Sequence, residues 1–405
     1  MDWLQDVLDA TAEAESPRSF FWWAGACAIA STVKNQVYLD KFYYKLFPNM
    51  FVFIVAPSGL RKGAPVDLCI ELVKMGAHTR VIAGRSSAQA IVNELGKTHT
   101  KENGDAPLTE ASALIASGEF SSSIVRDPDA LTILTNLYDG HYNKEYSTYL
   151  KSMGTETIKG VNITLFGGLN ETHFNDLITE KEISGGFMAR TLVVYERKRA
   201  LKNSLVDEPE KLFVPDQLAI YLKEMSKVKG KFAWSPEAKK LYKDWYMEWD
   251  AEGEEDKTGL ANRIHDHILK VAMIISLSQS FDLILRPEHI IEAKDKCFAL
   301  VKNLKRITQG SGKSATAPVM QKIVATLLAA ENYRMGRSKL LSKLSGTCDY
   351  IEFDKAIETL IQSRIVKDAF KVNDELTYEL TPQIIIGYSE LANSEAEEEK
   401  EDVET

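Results

Sequence analysis

The chain has 405 residues, 44% of them hydrophobic and 26% charged, and a formal net charge of −9. That length suits two or three domains, and the composition is that of an ordinary globular protein rather than a disordered or fibrous one. The acidic run 395–404 carries −6 of the charge, so the rest of the chain is close to neutral and a nucleic-acid partner, which needs only a local basic groove, is not excluded.

Four widely spaced cysteines, Cys27, Cys69, Cys297 and Cys348, form no C-x-x-C pair. This argues against a zinc site or a disulfide framework and suits a reducing cytoplasm. The apolar run Phe20–Ser31 is too short to span a bilayer, and the acidic start (Asp2, Asp6, Asp9) is unlike a signal peptide. No membrane association is expected.

Residues 1–46 read as helical, with Ser16-Pro17 separating two helices and starting the second. From 47 to 204 strands and helices alternate. The strand candidates are Phe51–Ala56, Arg80–Ala83, Ser112–Ser117, Val161–Phe166 and Thr191–Tyr195, with helices starting near Pro65, Ser87, Pro128 and Thr172. This alternation predicts an α/β layered domain with a parallel-type sheet. Residues 205–308 read as a helical subdomain, with helices from Ser235-Pro236, over Leu260–Ser280 and over Pro287–Ile307.

Segment 309–318 reads as a Gly/Ser/Pro linker. Its GSGKS (310–314) looks like a phosphate loop, but a helix precedes it where a buried strand is needed. Residues 319–382 follow with helices Val319–Ala330, Ser338–Leu344 and Tyr350–Ser363 and a hairpin turning at Asn373-Asp374. Three helices and a hairpin in that span resemble a winged-helix domain. The tail, 383–405, reads as acidic and solvated.

The segment most informative about function is FVFIVAPSGLRKGAP, residues 51–65. An apolar strand, a small-residue turn, a lysine and a helix start follow in the order a phosphate-cradling loop needs. Pro57, Ser58, Gly59, Leu60, Arg61, Lys62 and Gly63 are the candidate phosphate-binding residues. Against G-x-x-x-x-G-K-[ST], Ala56 and Arg61 hold the two glycine slots, Lys62 fits, and Gly63 stands where a hydroxyl would hold Mg²⁺. The same stretch also suits a plain strand-to-helix turn.

Three further candidates follow downstream. SALIASGEF (112–120) ends at Glu119, a candidate general base, with Gly118 in the slot of a metal-holding aspartate. Asn170 ends VNITLFGGLN after a Gly-Gly turn and can either orient water or cap a helix. Arg190 precedes the strand Thr191–Tyr195 and suits an arginine finger acting on a neighbouring subunit, with Arg197 and Arg199 in reserve. Each also suits an ordinary surface residue. The segment 139–160 is polar and tyrosine-rich. Its Lys144, Tyr146, Tyr149, Lys151 and Lys159 form a candidate single-stranded DNA contact, or simply a solvated loop. No primase-type metal cluster is visible, so any priming activity would have to come from another chain.

This ordered set, over roughly residues 17–308, resembles the P-loop ATPases of phage and plasmid replication, which are helicase and primase-helicase-like proteins. The carrying segments are LFPNMFVFIVAPSGLRKGAP, SSAQAIVNEL, ALIASGEF, LTNLYDGHY, ITLFGGLNETHF and SGGFMARTLVVYER. Their layout is similar to that of superfamily 3 and AAA+ helicases.

The resemblance implies a P-loop NTPase core, ATP and Mg²⁺ as cofactors, a hexamer or other ring, single-stranded DNA in the pore and the cytoplasm of a bacterial host. It implies that Lys62 holds phosphate, Glu119 activates water, Asn170 senses the terminal phosphate, Arg190 acts in trans and Arg263 serves as a second sensor. A nucleotide-binding initiator, loader or scaffold with weak or no hydrolysis would share the fold. A small-molecule phosphotransferase fits less well, since it needs neither the finger nor the extra domain. The winged-helix candidate opens its third helix with Glu352 and Asp354, which repel phosphate, while Lys339 and Lys343 lie on the helix before. Docking of replication proteins is therefore as well supported there as DNA binding.

Overall fold

The computed structural model describes residues 2–77, 79–84, 88–96, 111–120, 128–139, 145–150, 154–177, 186–202, 215–249, 258–309, 317–346, 348–372 and 374–385. The chain divides into two compact units, Met1–Arg306 and Ile307–Thr405.

The first unit opens with helices α1 (Trp3–Ala10) and α2 (Arg18–Val33). Asp2 caps α1, its carboxylate accepting the Leu4 and Gln5 N–H groups. Phe20 to Val33 of α2 are all buried, as expected of an all-apolar helix. Ser16 does not cap α2. Its hydroxyl instead donates to the Arg61 carbonyl at 3.0 Å, fastening the start of α2 to the loop after the first core strand. Residues 37–46 are not helical as expected but form strands β1 (Val37–Asp40) and β2 (Lys45–Leu46). Val37 and Leu39 alternate inward along β1, the period of a strand.

The core alternates strand and helix: β3 (Phe51–Val55), α3 (Gly63–Leu72), β4 (Arg80–Ala83), α4 (Ala88–Gly96), β5 (Ser112–Ser117) and α5 (Pro128–Tyr138). A hairpin, β6 (Glu145–Leu150) and β7 (Gly154–Lys159), comes next, where the sequence suggests a loop. Then follow β8 (Asn162–Leu169), α6 (Glu171–Leu177) and β9 (Thr191–Tyr195). Five strands make one sheet in the order β4-β5-β8-β3-β9, and every pairing is parallel. The fold is therefore α/β, as the alternation predicts. All residues of β3, β5 and β8 are buried, because helices cover both faces of a parallel sheet. Helix α2 packs across β3, β5 and β8.

One boundary differs from expectation. Gly167-Gly168 is not a turn but the end of β8, paired with Phe53 and Ile54 of β3. A side chain at Gly167 would strike the Phe53 ring, so glycine serves close packing there.

The unit closes with α7 (Pro215–Met225), β10 (Gly230–Lys231), β11 (Ala233–Trp234), α8 (Pro236–Glu248), α9 (Leu260–Gln279), β12 (Ile284–Leu285) and α10 (Pro287–Gln309). Ser235 caps α8 by accepting the Ala238 N–H, with Pro236 following at the first helical position.

The second unit contains α11 (Ala317–Leu328), β13 (Arg334–Gly336), α12 (Arg337–Leu344), α13 (Tyr350–Gln362), β14 (Phe370–Val372) and β15 (Glu375–Glu379). Its antiparallel sheet has the order β13-β15-β14, and the hairpin turns between Val372 and Glu375. Leu327, Leu340, Phe353, Leu360 and Tyr378 fill its core. The GSGKS motif and most of the acidic tail lie outside the described residues. The four cysteines are free and buried. Among the described residues no helix is long and apolar enough to cross a membrane.

Candidate functional site

The loop between β3 and α3 leaves the carboxyl end of the sheet, the end at which open parallel sheets bind ligands. Its path needs left-handed backbone at Gly59 (φ 95°) and at Arg61 (φ 51°). Gly59 adopts this freely. Arg61 is held there by the Ser16 bond and by an ion pair with Glu15, which also pairs with Arg199 at 3.2 Å. The Lys62 ammonium donates to the Ala56 and Pro57 carbonyls at 2.8 and 3.0 Å, across the mouth of the loop. Burial lowers the Lys62 pKa, while Glu119 and Glu171 pull it back up.

Beside this loop lies a cleft of about 550 Å³, lined by Ser58, Gly59, Arg61, Lys62, Gly63, Asp67, Gly118, Glu119, Gly168, Asn170 and His173. The structure thus brings together Lys62, Glu119 and Asn170, which lie up to 108 residues apart in sequence. Pro57 and Leu60 belong to the loop without lining the cleft.

Four glycines leave the cleft backbone bare. A Cβ on Gly168 would collide with the Gly118 carbonyl oxygen, and one on Gly118 would sit 3.4 Å from Gly63 Cα. The Phe120 N–H donates to the Gly168 carbonyl at 2.9 Å, which fixes the end of β5 against β8. Gly63 and Gly118, which break the expected motif, therefore lie where the β3–α3 loop and the ends of β5 and β8 meet backbone to backbone.

The Asn170 side chain caps α6, its Oδ1 accepting the His173 N–H at 2.7 Å. Its amide N–H₂ remains the group able to donate. Sequence reading missed Asp67. A Cβ on Gly63 would lie 3.9 Å from Asp67 Oδ2, so a carboxylate stands near where the motif has a hydroxyl. The i, i+4 spacing from Gly63 is the signal that finds it.

Arg190 and Arg263 do not reach this cleft. Arg190 precedes β9, and β9 runs parallel to β3 with Thr191 opposite Phe51, so Arg190 sits at the amino end of the sheet. Five strand residues put the two ends about 16 Å apart. Nor is Arg190 exposed as a finger should be: its side chain is 13% accessible. Its Nε and Nη2 donate to Asp139, and Nη1 donates to the Gly186 carbonyl at 2.9 Å. Arg263 lies 3.5 Å from the same Asp139 carboxylate. Burial works to raise the Asp139 pKa, but the bonds from Arg190 and the two guanidinium charges outweigh it and hold the carboxyl low.

Close by, Lys270 is buried. Its ammonium donates to Asn49 Oδ1 at 2.9 Å and to the Asn49 carbonyl at 2.8 Å, and it lies over the Tyr138 ring. Burial brings its pKa down to about 7. These groups border a second pocket of about 780 Å³ at the amino end of the sheet.

Arg197 and Arg199 follow β9 and so lie at the carboxyl end; Arg197 is 74% exposed and 3.9 Å from Glu171. Of the candidate DNA contacts, Lys144 and Lys151 lie outside the described residues. Tyr146, Tyr149 and Lys159 are on the β6–β7 hairpin, opposite Ile158, Thr155 and Glu145 respectively.

In the second unit, Asp349 and Glu352 form a capping box on α13, and Asp354 pairs with Arg337. Tyr350 and Ile351 of α13 are exposed. Among the described residues no group of three or more metal-type ligands gathers. Comparison with protein-family models finds no match, and comparison with curated proteins finds none either.

Proposed function

We propose that this chain is an ATP-driven ring motor, a DNA helicase-type P-loop ATPase of phage or mobile-element replication, translocating on single-stranded DNA. One observation carries the reading: Lys62, Glu119 and Asn170 line one glycine-walled cleft at the carboxyl end of a parallel sheet. In it, the bare amides from Ser58 to Gly63 and the Lys62 ammonium hold phosphates, Glu119 takes a proton from water, and Asn170 donates to the terminal phosphate.

The donor set also fits Mg²⁺. That ion takes one or two carboxylates and completes its shell with water and phosphate oxygens, and Asp67 and Glu119 supply two carboxylates in the same cleft. Bound there, it would neutralise charge on the transferring phosphoryl group.

Arg190, at the far end of the sheet, acts on a neighbour's nucleotide in a ring. To do so its guanidinium exchanges the Asp139 carboxylate for phosphate oxygens. The second unit, whose helix order and antiparallel sheet suit a winged helix, docks replication proteins through the exposed Tyr350 and Ile351. Its acidic groups on α13 disfavour duplex DNA.

A second reading is a nucleotide-binding initiator, loader or scaffold with slow or no turnover. It is favoured by glycine at 63 and 118, and by the pairing of Arg190 with Asp139. ATP hydrolysis measured with and without oligo-dT, alongside native mass with ATP·Mg²⁺, separates the two. The motor reading predicts rings and stimulation by the oligonucleotide. Binding of ATP with hydrolysis at background selects the scaffold.

A further inference from the structure

The amino-end pocket has no part in holding nucleotide at Lys62. Its walls include Tyr43, Tyr44, Tyr138, Lys45, Arg263 and His267. Its rim is the turn between β1 and β2, whose sequence is Lys-Phe-Tyr-Tyr-Lys over residues 41–45. The Lys41 N–H donates to the Tyr44 carbonyl and the Tyr43 N–H to the Lys41 carbonyl, both at 2.9 Å. This closes the turn tightly enough to hold Phe42 at φ 69°, a left-handed conformation that a bulky residue avoids. The turn leaves Phe42 99% and Tyr43 85% exposed. Two adjacent aromatic rings held in water by a strained turn call for something that covers them.

The neighbouring charges say what kind of partner fits. Lys41 lies over the Tyr242 and Tyr246 rings, Lys45 lies over Tyr38, and Arg263 lines the pocket. Lysine is depleted in protein–protein interfaces, whereas aromatic faces interleaved with cations are how proteins hold single strands. The two carboxylates in the lining are already engaged. Asp139 is paired with Arg190 and Arg263, while Asp266 accepts the Tyr44 O–H at 3.1 Å and lies 3.6 Å from His265.

A second observation lies deeper. His267 is 2% exposed, and its Nε2–H donates to the Ala189 carbonyl at 3.1 Å, which fixes the neutral tautomer. Its Nδ1 therefore carries a lone pair, and that buried atom has no hydrogen-bond partner. His267 is one of the lining residues, and a ligand with an N–H donor, which nucleobase edges present, would pair this acceptor once the ring turns toward the pocket.

We propose that this pocket and its rim bind single-stranded nucleic acid. Bases stack on Phe42 and Tyr43, one base turns its N–H edge toward His267, and the backbone phosphates lie along Lys41, Lys45 and Arg263. The proposal deepens the motor reading by naming where the strand sits, and rests on it only for the strand being DNA.

The test is fluorescence anisotropy of a labelled dT20 oligonucleotide with the full chain at low salt and without ATP. Nucleotide binding at Lys62 then cannot affect the result, and a separate ATP titration reports on that reading. The Phe42→Ala/Tyr43→Ala double variant removes only exposed side chains and so keeps the wild-type thermal unfolding. It should weaken dT20 binding at least tenfold, and 5-iodouracil in the oligonucleotide should cross-link to Phe42, Tyr43 or Tyr44. The proposal is overturned if the wild type does not bind dT20, if the double variant binds within twofold of wild type, or if cross-links fall only elsewhere. It is equally overturned if the double variant instead loses self-association, which would make this face a subunit contact.

Discussion

At the carboxyl end of the sheet, Gly59, Gly63, Gly118 and Gly168 strip the cleft to backbone. At the amino end, Asn49, Tyr138, Asp139, Arg190, Arg263 and Lys270 fill the space with paired charges and rings. The same strands connect the two regions. The first end offers bare amides and the Lys62 ammonium beside two carboxylates, Asp67 and Glu119. The second already satisfies most of its charge, so a ligand's phosphates there must exchange partners, while His267 Nδ1 remains an unpaired acceptor. The difference teaches that a parallel sheet can keep a backbone-lined end and a charge-paired end apart by strand length alone.

The comparison can be broken most forcefully at the amino end, by acid. Burial lowers the His267 pKa to about 4. Between pH 6.5 and 4 the unfolded chain binds this proton and the folded one does not, so stability is fully present above pH 6.5 and is lost as pH falls through 4. The loss is roughly 3 kcal/mol. Urea unfolding at pH 7 and pH 4.5 should show it, and His267→Gln should flatten the slope. An unchanged slope would mean that this histidine is not buried neutral.

At the carboxyl end, Lys62→Ala should weaken ATP binding by about 100-fold, or about 2.7 kcal/mol, with folding intact. Unchanged affinity in a nucleotide titration would remove the phosphate-loop assignment.

Asp139→Asn leaves Arg190 and Arg263 without their shared carboxylate. It should cost about 2 kcal/mol of stability, below the usual range for a fully buried pair because the Asp139 side chain is 35% exposed. Chemical denaturation of the variant reports this directly. The smallest effect is expected for Arg197→Ala. That exposed arginine is 3.9 Å from Glu171, and its loss should change stability by less than about 0.5 kcal/mol. A larger change would mean that the carboxyl end also depends on stored charge.

The strands were legible because buried parallel strands are continuous apolar runs bounded by turn residues. Arg80–Ala83, Ser112–Ser117 and Thr191–Tyr195 lie where the sequence suggests. The end of β8 was not legible, since Gly-Gly reads locally as a turn. Only the meeting of Gly168 with Gly118 and Lys62 explains it as strand.

That Lys62, Glu119 and Asn170 gather was legible, because Glu119 and Asn170 each follow a strand of one parallel sheet and Lys62 ends the loop after another, so all three arrive at one end. By the same logic Arg190, which precedes its strand, belongs to the other end. Its pairing with Asp139, 51 residues earlier, leaves no local trace. Asp67 escaped because motif matching stops at Gly63. The Lys41–Lys45 turn escaped because the segment 1–46 read as helical.

The central claim is that the two ends act together only between subunits: Lys62 holds the nucleotide in one chain and Arg190 of the next acts on it. Mixing Lys62→Ala with Arg190→Ala chains and measuring ATP hydrolysis tests this most directly. The account predicts that each variant alone is near background and that the mixture regains activity, because some contacts pair an intact Lys62 with an intact Arg190. A mixture no more active than the average of its two components would contradict it.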